Sequence, residues 1–181
     1  MTQPDPSHAV GEEPSADATP VGAAEEVRGL DRLDPRAVTL WRIDYLLRGG
    51  GFAGLLLAAE LLLGTPFPEG LLAFLAGAAA IVLAILVPPA RHRAWGYRLR
   101  ETDLYLRYGI LIRTTSIVPH ARIQHVDTRH GPIDRSLGLA AVVVYTAGTR
   151  GAIIAIPALE ATTADGLRDR LVALSGAGDA V

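Results

Sequence analysis

Two apolar stretches, separated by a short turn rich in proline and glycine, constrain this chain more than any other feature. Tyr45–Leu63 and Leu71–Val87 both fall within the roughly 17–25 apolar residues that a helix needs to cross the hydrocarbon core of a bilayer. The second contains no charged residue, and the residues between them, Gly64-Thr65-Pro66-Phe67-Pro68-Glu69-Gly70, interrupt any continuous helix. A soluble helical hairpin would show a polar stripe toward water; here both stretches are apolar on all sides. We therefore expect two transmembrane helices, with Pro88-Pro89 ending the second.

The charged residues set an expected orientation. Arg36, Arg42 and Arg48 precede or open the first span, Arg91, Arg93, Arg98 and Arg100 follow the second, and the connecting turn has no arginine. Under the positive-inside rule both ends of the chain lie in the cytoplasm, which makes it a multi-pass protein of the cell membrane. Trp41, Tyr45 and Trp95 are spaced like aromatic anchors at the headgroup level. Arg48 is close enough to the end of its span to snorkel. Glu60 lies about one turn from the opposite end, and it reads as an interfacial residue before it reads as a transport or proton group.

Outside the spans the chain divides by charge. Met1 to Asp34 carries eight acids against two arginines, whereas Arg91 to Arg135 carries nine arginines against four acids. Residues 1–36, rich in Pro, Ala, Gly and acids, lack the apolar side chains to offset chain entropy and are expected to be disordered. They also lack the positive start and apolar run of a secretory signal. All 17 basic residues are arginine and there is no cysteine, which removes lysine-based, thiolate and disulfide chemistry.

From Trp95 the periodicity changes from helical to two-residue alternation. Expected strands are Tyr97–Arg100, Leu104–Tyr108, Ile110–Val118 after a corner at Gly109, Arg122–Arg129, Ala140–Tyr145 and Ala152–Ile156. A short turn or helix opens at Gly131-Pro132 and closes at Gly138, and Ala147-Gly148-Thr149-Arg150-Gly151 joins the last two strands. Leu167, Leu171 and Leu174 then mark an amphipathic helix, capped by Thr162 or Thr163 and closed by Gly176. The expected fold is a membrane helical hairpin (37–90), a mainly-β open barrel capped by a C-terminal helix (91–176) and a short disordered tail (177–181).

The segments Tyr97-Arg98-Leu99, Leu104–Leu111, Ser116-Ile117-Val118-Pro119, Arg122-Ile123-Gln124-His125-Val126 and Asp134-Arg135-Ser136-Leu137-Gly138-Leu139 fall in a telling order. With Thr146-Ala147-Gly148 and Pro157-Ala158-Leu159, they resemble the bacterial pleckstrin-homology domain of YdbS-like membrane proteins. Including the spans, the resemblance covers about three-quarters of the chain. It implies a pleckstrin-homology-like barrel and no established catalytic activity. The acidic leader falls outside it.

Catalytic and metal chemistry find little support. His120, His125 and His130 recur every five residues around Asp127, but that spacing alternates strand faces and zinc needs three or four converging ligands. We read them as surface or loop histidines. Ser116 and Ser136 lack a nucleophile elbow, and Gly49-Gly50-Gly51 follows no strand, so it reads as a helix-packing or flexible position. No catalytic, cofactor or metal residues are assigned. Arg91, Arg93, Arg98 and Arg100 either fix topology alone or also touch the anionic inner leaflet. Nucleic acid is a poor fit, because aromatics do not interleave with the arginines. The expected role is a membrane-tethered module for a membrane-protein partner, self-association or an anionic lipid surface. The alternatives are an accessory subunit of a transporter and a membrane enzyme.

Overall fold

A computed structural model describes residues 29–64, 66–147 and 153–176. The expected disordered tail, most of the acidic leader and the loop expected at 148–151 lie outside the described residues.

Helix α1 (Ala37–Leu63) and helix α2 (Leu71–Ala94) form the antiparallel hairpin. Their outward surface is almost entirely large apolar side chains, including Leu55, Leu62, Phe74 and Leu86, each more than half exposed. Only 6% of the apolar window of α1 and 17% of that of α2 are covered by protein. A core helix of a soluble protein would be mostly covered, so lipid is the solvent that fits these faces.

The contact between the two helices is made by small residues. A side chain at Gly49 would overlap Ala80 Cβ, and Ala80, Ala84 and Pro88 form a buried row at four-residue spacing. Close backbone approach of this kind supplies packing where no hydrophobic drive between helices exists. Pro88-Pro89 does not end α2, contrary to expectation. The prolines remove two hydrogen bonds to the preceding turn, yet Pro88 is fully buried in the same row as Ala80 and Ala84, and the helix runs on to Ala94. Arg91, His92 and Arg93 then occupy the last turn, where the helix dipole favours cations.

Glu60, expected near the end of its span and without a partner, is only 3% exposed and has one. Its Oε1 accepts the Leu72 N–H at 3.0 Å, in the first turn of α2, where otherwise unpaired donors and the helix dipole welcome a carboxylate.

The chain passes from α2 into the β domain through Trp95 alone. Strands β1 (Gly96–Leu99), β2 (Asp103–Tyr108) and β3 (Thr114–Pro119) form one antiparallel sheet. A single 3-10 turn, His120–Arg122, carries the chain to a second sheet of β4 (Ile123–Arg129), β5 (Leu139–Thr146) and β6 (Ile153–Glu160). The short helix α3 (Pro132–Ser136) joins β4 to β5. Helix α4 (Ala161–Gly176) packs against the second sheet through Ala164, Leu167 and Leu171. Six strands and a closing helix match the expected architecture.

Three local expectations change. The third strand begins at Thr114, because Gly109–Arg113 forms a loop rather than extended chain. Pro157-Ala158-Leu159 belongs to β6, an edge strand that tolerates a proline, with Ala158 held at φ 51°. α4 starts at Ala161 directly after β6, so neither Thr162 nor Thr163 stands outside it as a cap.

The core joins both sheets, α4 and the base of the hairpin. Leu104, Leu106, Leu139, Ile156, Leu159 and Leu171 are its fully buried large residues, in contact with a cluster that also contains Leu33, Ala37, Trp41 and Trp95. The leader boundary expected at residue 36 therefore moves back. Asp31 forms an antiparallel bridge with Tyr97 along the β1 edge, and Leu33 is 2% exposed. The acid-rich composition of this stretch hid one anchoring leucine.

Candidate functional site

The most distinctive place in the molecule is the junction where the hairpin meets the β domain. Trp41 of α1 and Trp95 after α2 are 6% and 9% exposed. The guanidinium of Arg91 covers the Trp41 ring at 4.4 Å, and Trp95 stacks on Tyr108 with ring centroids 5.0 Å apart and planes 19° apart. Neither tryptophan offers its ring to headgroups, so the expected anchoring role is corrected: both are core residues that weld helices to sheet. Tyr45 remains partly exposed.

The segment before α1 completes the weld. His92 Nε2 lies 3.0 Å from the Leu33 carbonyl, and the Asp34 N–H donates to the Ala158 carbonyl at 3.2 Å. Arg36 donates to both oxygens of Asp34 at 2.9 Å and, through Nη1, to the Leu137 carbonyl at 3.0 Å. The Arg36 hydrogen bond holds the Asp34 carboxyl below its ordinary range despite partial burial. Burial, with the Asp31 charge nearby, pushes the Tyr97 phenol up. The base of the hairpin is thus clamped from three sides, and the β domain is fixed to it rather than hung on a linker.

The four arginines expected at the inner leaflet separate into two settings. Arg91 and Arg93 stand in the last turn of α2; Arg91 is occupied by Trp41, and Arg93 is exposed. Arg98 lies on the outer face of the first sheet, opposite Tyr105, which in turn pairs with Ile117. Arg100 follows β1 and lays its guanidinium 4.5 Å from the Tyr105 ring, near Asp103. Arg107, paired with Gly96 and Thr115, extends the same face. Sequence reasoning missed Tyr105, whose ring forms the floor of this arginine-rich face at only 7% exposure. Its alternation with Leu104 and Leu106 was the available signal.

A cleft of about 410 Å³ opens beside the junction, lined among others by Trp41, Asp44, Arg48, Arg91, Ile133 and Asp134. Its charges are already matched. Arg48 pairs with Asp44 at 2.9 Å, and Asp134 accepts the Gly131 N–H at 2.9 Å. Two arginines facing two aspartates leave little surplus charge to draw a phosphate.

The remaining polar candidates are engaged structurally. His120 is 5% exposed, correcting its surface assignment, and its Nε2 lies 2.9 Å from the Arg100 carbonyl at the corner between the sheets. His125 is exposed and pairs with Asp127 at 2.6 Å, while His130 lies 3.3 Å from the Leu139 carbonyl. Ser136 Oγ donates to the Ile133 carbonyl, and Ser116 sits opposite Leu106 in the ladder. Among the described residues no three metal-ligating side chains cluster.

A β domain of this topology, closed by a C-terminal helix and welded to an apolar hairpin, defines a membrane-associated pleckstrin-homology-like protein. The chain matches the family model described as Bacterial PH domain over residues 52–174, and it belongs to that family. The match begins inside α1, so it takes in most of the hairpin as well as the sheets. Over 96 residues the chain is 41% identical to the UPF0699 transmembrane protein YdbS of Bacillus subtilis (strain 168), covering 53% of this chain and 58% of that one. The chain thus spans little more than half the length of that relative. No solved structure matches it.

Proposed function

We propose that this protein is a non-enzymatic, multi-pass cell-membrane protein that presents its β domain on the cytoplasmic face as a rigid docking module for a membrane-protein partner or a second copy of itself. The observation that carries this reading is the shared core at the junction: Leu33, Ala37, Trp41 and Trp95 pack into the same cluster as Leu104 and Leu139. A domain joined in this way has lost the rotational freedom of a tethered one. Partners in the same bilayer meet it at high effective concentration and in one orientation. The arginines that follow the second span support the cytoplasmic placement of both ends.

The docking surface is the outer face of the first sheet. Arg98, Tyr105 and Arg107 share this face with Ile117, which is 57% exposed on the edge strand, Arg100 lies over Tyr105, and α4 covers the other sheet instead. Arginine, tyrosine and an exposed aliphatic are the residue types from which protein interfaces draw their affinity. A photo-crosslinker at Ile117 in intact membranes should give one defined adduct, either a dimer or a single second membrane protein. A crosslinker at Val172 on α4 should give none. Equal labelling at both sites, together with a strictly monomeric protein at every concentration in detergent, would sink the reading.

A further inference from the structure

The loop between β2 and β3 exposes three consecutive large apolar residues: Ile110 (44%), Leu111 (97%) and Ile112 (82%). Elsewhere in the described β domain, exposed large aliphatics occur singly, at Ile117, Ile153 and Val172. Isolated ones need no explanation, but a run of three at the tip of a hairpin does. The loop is held in this shape. Gly109 has φ 104°, and a side chain there would overlap the Ile112 carbonyl oxygen, so the turn is too tight for any other residue.

Topology brings this tip back to the end of α2. β1 leaves the end of α2 after one residue, β2 returns antiparallel to it, and Gly96 at the start of β1 pairs with Arg107 near the end of β2. Tyr108 stacks on Trp95, and the tip follows immediately. The span is close. From Val87, the last apolar residue of the span, to Trp95 is about 12 Å of helix. The loop Gly109–Arg113 starts one residue beyond Tyr108, so its apolar tip sits near the Trp95 end of that helix. Arg107 and Arg113 flank the tip, as cations flank membrane-surface segments.

We infer that Ile110-Leu111-Ile112 inserts into the inner leaflet beside α2 and forms a third, monotopic membrane contact that sets the tilt of the β domain. This rests on the proposed cytoplasmic placement of the domain. Lipid is favoured over a protein occupant because the tip directly follows the residue stacked on Trp95, about two helical turns from the lipid-facing span, and is flanked by Arg107 and Arg113.

The chain has no cysteine, so Leu111→Cys and Val172→Cys each carry a single environment-sensitive fluorophore at a site that already faces outward. Full-length protein is reconstituted in phosphatidylcholine–phosphatidylglycerol vesicles containing a lipid with a nitroxide near the headgroup. The label at 111 should emit at shorter wavelength than that at 172 and be quenched by the nitroxide, while the label at 172 stays water-like. Water-like, unquenched emission at 111 overturns the inference. So does emission at 111 that is blue-shifted but unquenched and reverts on dilution with lipid, which would mean that a second copy covers the tip. A membrane-impermeant maleimide on intact cells separates the two readings. Reaction at Val172→Cys without permeabilisation defeats the cytoplasmic placement itself, whereas protection at 172 with a water-exposed 111 defeats the tip alone.

Discussion

The hairpin and the β domain spend the same apolar residue types in opposite ways. In the β domain Leu104, Leu106, Leu139 and Leu171 face inward and are fully buried, with arginines and threonines outside. In the hairpin Leu55, Leu62 and Leu86 face outward, and Gly49, Ala80 and Ala84 fill the contact between helices. The difference is one of solvent. Water drives large side chains together, whereas lipid tails are as apolar as leucine, so close approach of small residues is what remains to hold the helices. At the junction the two regimes meet, and the tryptophans there obey the rule of the water-soluble half.

The sharpest test of this contrast is one substitution made on both sides. Leu106→Ala should lower unfolding stability by about 2–5 kcal/mol, because it leaves a cavity in a closed core. Leu62→Ala, at a position 83% exposed to lipid, should change it by less than about 0.5 kcal/mol. Thermal unfolding of the full-length protein in one detergent compares the two, and equal losses would break the comparison. The reverse experiment fills the small-residue contact. Gly49→Leu should destabilise the hairpin by about 1–3 kcal/mol through overlap with Ala80, while Gly50→Leu, which meets nothing within 4 Å, should be tolerated. Protease cutting at the connecting turn in detergent reports the difference.

The smallest effect concerns the clamp at the junction. The Asp34 carboxyl titrates below its ordinary 3.8, so its contribution is complete above that pH and is lost as pH falls through the depressed value. Wild type should therefore lose thermal stability relative to Asp34→Asn as pH is lowered below about 3.8, and the two curves should run parallel above it. A constant difference across the acid range would show that the Asp34–Arg36 pair contributes nothing to the clamp.

Much of this architecture was legible from local pattern. Apolar runs of bilayer length marked the spans, alternation and short apolar runs marked four of the six strands closely, and leucines at i, i+4 and i+7 marked α4. Failures occurred where a distant contact decided the outcome. Trp41 and Trp95 sit where anchors belong, and only the approach of Tyr108 and Arg91 made them core. The run Ile110-Leu111-Ile112 breaks alternation just after a glycine, which was the signal that β3 starts later. The arginine face was half visible: Arg98 and Arg100 were named, but Tyr105 beneath them was not.

The amino-acid order alone determined that this chain carries two lipid-soluble helices and, after them, a sheet-forming domain. Periodicity and length are properties of neighbouring residues, and they survive without a tertiary context. Only the tertiary structure decided that α2 continues through Pro88-Pro89, that Leu33 is an anchor inside an acidic leader, and that Tyr108, at the foot of the apolar loop, stacks on the residue that follows α2. Each depends on residues far apart in sequence coming together, and no local pattern encodes the partner that makes a proline tolerable or a tryptophan buried.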